Sequence, residues 1–148
     1  MTVNHTYLEI TKMGKLDNKK TAWKGKSNEI KKPWGSVISW SALKTVGGKI
    51  IKIEKNHRTS LKYNTLKDEA LFIISGKVIV STWDSVRKID NTPEMRYPLT
   101  QGDTFNIQSE VPFRITAIED SYIVEISNGK NNQIVRLKDD YGRIDEKP

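Results

Sequence analysis

The chain contains no cysteine, which removes disulfides and thiolate metal sites from consideration. No run approaches the ~18 consecutive apolar residues of a membrane span. The first fifteen residues, MTVNHTYLEITKMGK, are polar where a signal peptide needs an apolar centre, so a cytoplasmic location is expected. Histidine is scarce: only His5 and His57 occur. Hydrophobic residues make up just 36%, a supply that suits a two-layer β fold with one wet face per strand.

The 148 residues correspond to one domain. The formal charge of +7 is unevenly spread. Residues 1–32 hold eight lysines against Glu9, Asp17 and Glu29, a net of +5. The remainder carries 17 basic and 15 acidic residues, a net of +2. The basic character therefore belongs to an arm, assigned here to residues 1–30, and the domain proper to residues 31–148. Basic arms bind polyanions. No regular set of aromatics is interleaved with these lysines to stack bases, and Trp23 stands alone there, so nucleic acid is not the expected partner. A solvated leader or an added edge strand at His5–Thr11 are the other readings of the arm.

Past residue 36 the pattern changes to short β-rich runs. Val37–Trp40, Lys49–Glu54, Ala70–Ser75, Lys77–Trp83, Thr104–Gln108, Phe113–Ala117, Tyr122–Ser127 and Gln133–Leu137 are rich in Val, Ile, Phe and Tyr. Several alternate apolar and polar residues at period two. Turn signals stand at Gly47-Gly48, Ser75-Gly76-Lys77, Gln101-Gly102-Asp103 and Asn128-Gly129. Asp84–Pro98, with two prolines and several acidic residues, reads as a loop. Many short strands with little helical periodicity predict an all-β sandwich or closed barrel of the jelly-roll kind.

Three stretches then converge: Lys32-Pro33-Trp34-Gly35-Ser36; SLKYNTLKDEALFIISG over Ser60–Gly76; and GDTFNIQSEVPF over Gly102–Phe113, followed by IVRLKDDYGR over Ile134–Arg143. In this order they resemble the cupin domain of type II mannose-6-phosphate isomerases, including those fused to a mannose-1-phosphate guanylyltransferase. The resemblance covers about residues 31–143. It implies a double-stranded β-helix (cupin) barrel, a sugar-phosphate or nucleotide-sugar ligand, a setting in polysaccharide precursor synthesis, and a homodimer.

The resemblance also implies where a metal would sit. Two ligands lie two residues apart on one strand, a glutamate follows about five residues later, and a histidine comes from a later hairpin. Here these positions read Lys62, Asn64, Glu69 and Phe113. An ammonium repels a cation and a phenyl ring offers no lone pair, so loss of the family's metal site is expected and no cofactor is assigned. Lys62 points inward toward Glu69 if period two holds. That pair binds an anionic sugar, manages proton transfer together with Tyr63, or simply neutralises itself. Asn64, Phe113 and Lys67, which keeps a positive charge at the family's arginine position, complete the candidate ligand site. His57 and Arg58, in the turn before the first motif, are either an anion contact at the barrel mouth or exposed loop residues. Arg136, Asp139, Asp140, Tyr141 and Arg143 read as a set pinning the tail to the barrel; the alternative that the resemblance implies is that basic residues here meet the sugar phosphate.

Two function classes remain open from the sequence. One is a sugar-binding cupin, with or without metal-independent isomerase or epimerase activity; no histidine base is positioned for the latter. The other is a non-catalytic, degenerate cupin that senses a sugar or binds a partner.

Overall fold

The computed structural model describes residues 20–129 and 133–144. The proposed edge strand at His5–Thr11 lies outside these residues.

Eleven strands occur among the described residues: β1 (Asn28–Lys32), β2 (Gly35–Ser39), β3 (Val46–Ile53), β4 (Leu61–Asn64), β5 (Glu69–Ser75), β6 (Lys77–Thr82), β7 (Met95–Thr100), β8 (Thr104–Ile107), β9 (Phe113–Ala117), β10 (Ser121–Asn128) and β11 (Ile134–Lys138). One sheet has the order β1-β2-β3-β10-β5-β8 and the other β11-β4-β9-β6-β7. All pairings are antiparallel.

Period-two alternation decides what the sheets bury. Ile51 and Ile53 of β3, Leu71 and Ile73 of β5 and Ile123 of β10 face inward from the first sheet. Val78 and Val80 of β6 and Phe113, Ile115 and Ala117 of β9 meet them from the second. One shared core thus fills the space between two sheets, the arrangement of a jelly roll. Each fully buried side chain of this kind contributes about 1.5–3 kcal/mol. The chain passes from the first sheet to the second at Ser75-Gly76-Lys77. There Gly76 adopts φ 89°, a left-handed conformation that favours glycine, and a Cβ would strike the Asp120 carbonyl.

Three strands depart from the sequence expectation. β1 begins inside the segment assigned to the arm and pairs with β2 from Asn28↔Ser39 to Lys32↔Gly35. Its residues NEIKK are nearly all exposed, so it carries no apolar signature. β4 is short and polar and is held between β11 and β9 by its neighbours. Asp84–Pro98 is not all loop: a single 3-10 turn at Val86–Lys88 is followed by β7 from Met95. Pro98 is tolerated because β7 is an edge strand that, among the described residues, pairs with β6 alone. No helix among the described residues is long and apolar enough to cross a membrane.

Candidate functional site

The site is built where β4 meets β9. Lys62 pairs with Phe113 across these strands, so two of the four positions singled out by the resemblance are neighbours by register alone. The Lys62 ammonium lies 5.7 Å from the centroid of the Phe113 ring, within the range of a cation–π contact. Asn64, two residues along β4, is buried and donates through Nδ2 to Glu69 Oε1 at 2.6 Å. Its Oδ1 has no hydrogen-bond partner. The fold therefore brings Lys62, Asn64, Glu69 and Phe113 together.

The charge pairing differs from the sequence expectation. Glu69 is paired with Lys67 rather than Lys62. Lys67 Nζ stands 3.3 Å from Glu69 Oε1 and 3.2 Å from Glu125 Oε1, and all three side chains are nearly inaccessible. Burial works against the Lys67 ammonium, but Glu125 and Glu69 together raise its pKa above the ordinary lysine value. Burial and then the Glu125 charge push the Glu69 carboxyl up, opposed by Lys62 and Lys67. Burial lowers the Lys62 pKa, helped by Lys49 and Lys67 and opposed by Glu69 and Glu125. The surface Lys62 retains faces a cavity between the two sheets.

That cavity has a volume of about 290 Å³. Its lining includes Lys32, Lys49, Lys62, Arg136 and Arg143 but a single acidic residue, Glu125. Trp34 and Phe113 supply aromatic wall. Five basic side chains against one carboxylate make the interior electropositive, and low-dielectric walls strengthen that field. Two of these groups are fixed by the tail. Arg143 donates to Asp139 through Nη2 at 2.8 Å and Nε at 3.1 Å, and its backbone N–H reaches Asp139 Oδ2 at 2.7 Å. Arg136 Nη1 donates to the Arg143 carbonyl at 3.2 Å.

Other sequence candidates are placed elsewhere. Tyr63 faces the opposite side of β4, opposite Val135, and does not line the cavity. Arg58 forms a bidentate pair with Asp140 at 2.5 and 2.9 Å, and His57 Nδ1 contacts the Lys55 carbonyl at 3.0 Å; neither lines the cavity. Tyr141 donates to the Arg58 carbonyl at 3.1 Å, and Arg114 donates to the Thr59 and Lys138 carbonyls at 2.9 and 3.2 Å. The tail is pinned in this way, and the pinning also delivers Arg136 and Arg143 to the cavity. Lys49, Glu125 and Lys32 were not among the sequence candidates. Glu125 carried a signal: it occupies the inward phase of Ser121-Ile123-Glu125 on β10, where a charge has no ordinary reason to be.

The donor set at the family's metal position does not fit a metal. Lys62 and Phe113 offer it no lone pair, and Glu69 is already engaged by Lys67 and Asn64. Among the described residues no group of three or more His, Cys, Asp or Glu could hold an ion.

The sequence matches no protein-family model and no curated protein. Solved structures are similar in fold. KdgF from Halomonas sp. superposes with a TM-score of 0.58 at 12% identity, over 71% of this chain and 88% of that one. An oxalate decarboxylase variant from Bacillus subtilis gives 0.65 at 12% identity, over 82% of this chain and 34% of that one. The capsular polysaccharide assembling protein CapF from Staphylococcus aureus gives 0.57 at 12% identity, again over 82% and 34%. This chain thus spans about a third of the latter two. At such identities the likeness carries the fold and nothing finer. Two antiparallel sheets closed around one core, superposing on cupin-fold proteins, identify the chain as a cupin-type jelly-roll barrel.

Proposed function

We propose that this barrel is a carbohydrate-binding cupin whose cavity takes an anionic sugar, a sugar phosphate or the sugar end of a nucleotide sugar, without a metal. The observation that carries this reading is the lining of the cavity: five basic side chains, one acidic, and two aromatic rings in about 290 Å³. Arg143 is already oriented by Asp139 through Nε and Nη2, so a phosphate meets it through Nη1. The volume lies at the small end of ligand pockets, which run from about 300 Å³ upward. It suits a monosaccharide phosphate; a nucleotide sugar would leave its nucleoside at the mouth. The resemblance to mannose-6-phosphate isomerase cupins and the fold shared with CapF agree with a role in polysaccharide precursor synthesis.

Binding is favoured over isomerisation by proton transfer. Of Lys62, Tyr63 and Glu69, only Lys62 lines the cavity. Glu69 sits behind it in ion and hydrogen bonds, and Tyr63 is on the other face of its strand.

A partner-binding role has its own support. Ile38, Ile50, Val124 and Phe72 form one lateral row across β2, β3, β10 and β5, on the outer face beside exposed Trp40, Ile74, Tyr122 and Ile126. An apolar sheet face of this kind fits a second copy of the chain. Phe72→Glu shifting a dimer to monomer in sedimentation analysis supports that arrangement; a monomeric parent chain rejects it.

The sugar-ligand reading is tested by thermal shift in the presence of a chelator, against hexose phosphates, nucleotide sugars and neutral hexoses. A ligand at about 100 times its Kd adds about 2.7 kcal/mol of stability. Stabilisation by hexose phosphates and not by neutral hexoses is expected. Silence across the panel contradicts the proposal.

A further inference from the structure

We propose that Lys62 is a nucleophile that captures the carbonyl carbon of a small anionic aldehyde, an open-chain aldose phosphate, as an imine. The inference rests on the anion-binding reading of the cavity and deepens it by assigning covalent chemistry to one side chain.

The geometry begins with what Lys62 lacks. Among the described residues its Nζ makes no hydrogen bond and no ion pair; it lies 5.7 Å from the centroid of the Phe113 ring. The two carboxylates that would hold it as an ammonium, Glu69 and Glu125, are both taken by Lys67. A buried cation without a partner is costly, and the amine relieves that cost by giving up its proton. Burial is the largest influence and disfavours the ammonium; the charges of Glu69 and Glu125 oppose it, and those of Lys49 and Lys67 add to it. Lys32, Arg136 and Arg143 face the same cavity and add positive charge. A lysine desolvated beside another cation is a recognised way to obtain a neutral, nucleophilic amine.

The remaining lining supplies what imine formation needs. Lys49, Arg136 and Arg143 attract the phosphate end, leaving the aldehyde near Lys62. The amine lone pair attacks the carbonyl carbon, and the C=O π pair moves to oxygen, which takes up a proton from solvent. The new C–N ammonium gives a proton to Glu125, which lines the same cavity and meets Lys67 through Oε1. Glu125 then returns it to the hydroxyl, which leaves as water as the nitrogen lone pair closes the C=N bond. Amine, aldehyde and one proton become a protonated imine and water, with no oxidant or reductant consumed.

The test uses the full chain with glyceraldehyde 3-phosphate, trapping any imine with cyanoborohydride and locating the adduct by peptide mass spectrometry. Glycerol 3-phosphate, which has the anion but no carbonyl, serves as competitor and as a separate thermal-shift ligand. The expected result near neutral pH is an adduct on Lys62 at least about tenfold above that on exposed lysines such as Lys77. It is suppressed by glycerol 3-phosphate and lost in Lys62→Arg and Lys62→Met, both checked for an intact melting transition. Adducts spread over surface lysines without preference for Lys62 overturn the inference. If glycerol 3-phosphate stabilises the chain while Lys62 stays unmodified, the imine fails and the anion site stands. If neither effect is seen, the anion site fails and the imine with it.

Discussion

Lys67 Nζ stands 3.2 Å from Glu125 Oε1, and the same ammonium reaches Glu69 at 3.3 Å. A single lysine therefore holds two buried carboxylates. Removing one partner of such a set leaves uncompensated charge in a low dielectric. Lys67→Met should cost about 3–5 kcal/mol of stability. Because burial and the Glu125 charge raise the Glu69 pKa, Glu69 takes up a proton at higher pH than an ordinary carboxylate. The cost of Lys67→Met should accordingly shrink on acidification, as urea unfolding at neutral and acidic pH would show. An equal cost at both contradicts the arrangement.

Lys62 makes the opposite prediction. Its folded pKa lies below the ordinary 10.5, so between those two values the unfolded chain binds more protons and stability rises with pH. As pH falls below 10.5 the fold carries a growing cost, that of releasing the proton inside the window and of burying the ammonium beneath it. Lys62→Met should therefore stabilise the barrel near neutral pH by about 1 kcal/mol or more and flatten the alkaline rise. A destabilised variant would show that the ammonium is held by a favourable pair.

The tail contributes through Asp139, whose side chain is fully buried against Arg143. The Arg143 hydrogen bonds hold the Asp139 carboxyl below its ordinary 3.8. Its stabilisation is present above that value and is lost as pH falls through the folded pKa. Asp139→Ala should cost about 3 kcal/mol and, by releasing Arg143 from the cavity wall, weaken the affinity for a sugar phosphate. Unfolding curves and titrations of the same variant check both. Loss of stability with unchanged affinity would remove Arg143 from the ligand site.

The barrel was legible in the sequence because alternation survives in its central strands: Ile51/Ile53, Val78/Val80 and Phe113/Ile115 announce an inner face by period two alone. β1 and β4 were not, since NEIKK and LKYN owe their strand state to neighbours rather than to their own apolar pattern. Pro98 hid β7 because proline argues against a strand until the strand is known to be an edge. At the site, the resemblance found the positions of Lys62, Asn64, Glu69 and Phe113, and the fold brings them together. It could not say which lysine pairs with Glu69, since Lys67 reaches it from the turn before β5 and Glu125 comes from β10, far along the chain. Arg136 and Arg143, read first as a tail pin, face the same cavity as Lys49, a residue the resemblance did not single out.

The most direct test of the metal-free anion site is calorimetric titration of a hexose phosphate into the chelator-treated chain, beside Lys49→Glu. Lys49 lines the cavity and takes no part in the Lys67 ion pairs. The account predicts saturable binding by the parent chain without metal, and at least a tenfold loss, about 1.4 kcal/mol, in Lys49→Glu. Binding that appears only when zinc or manganese is restored, or that is indifferent to Lys49→Glu, would contradict it.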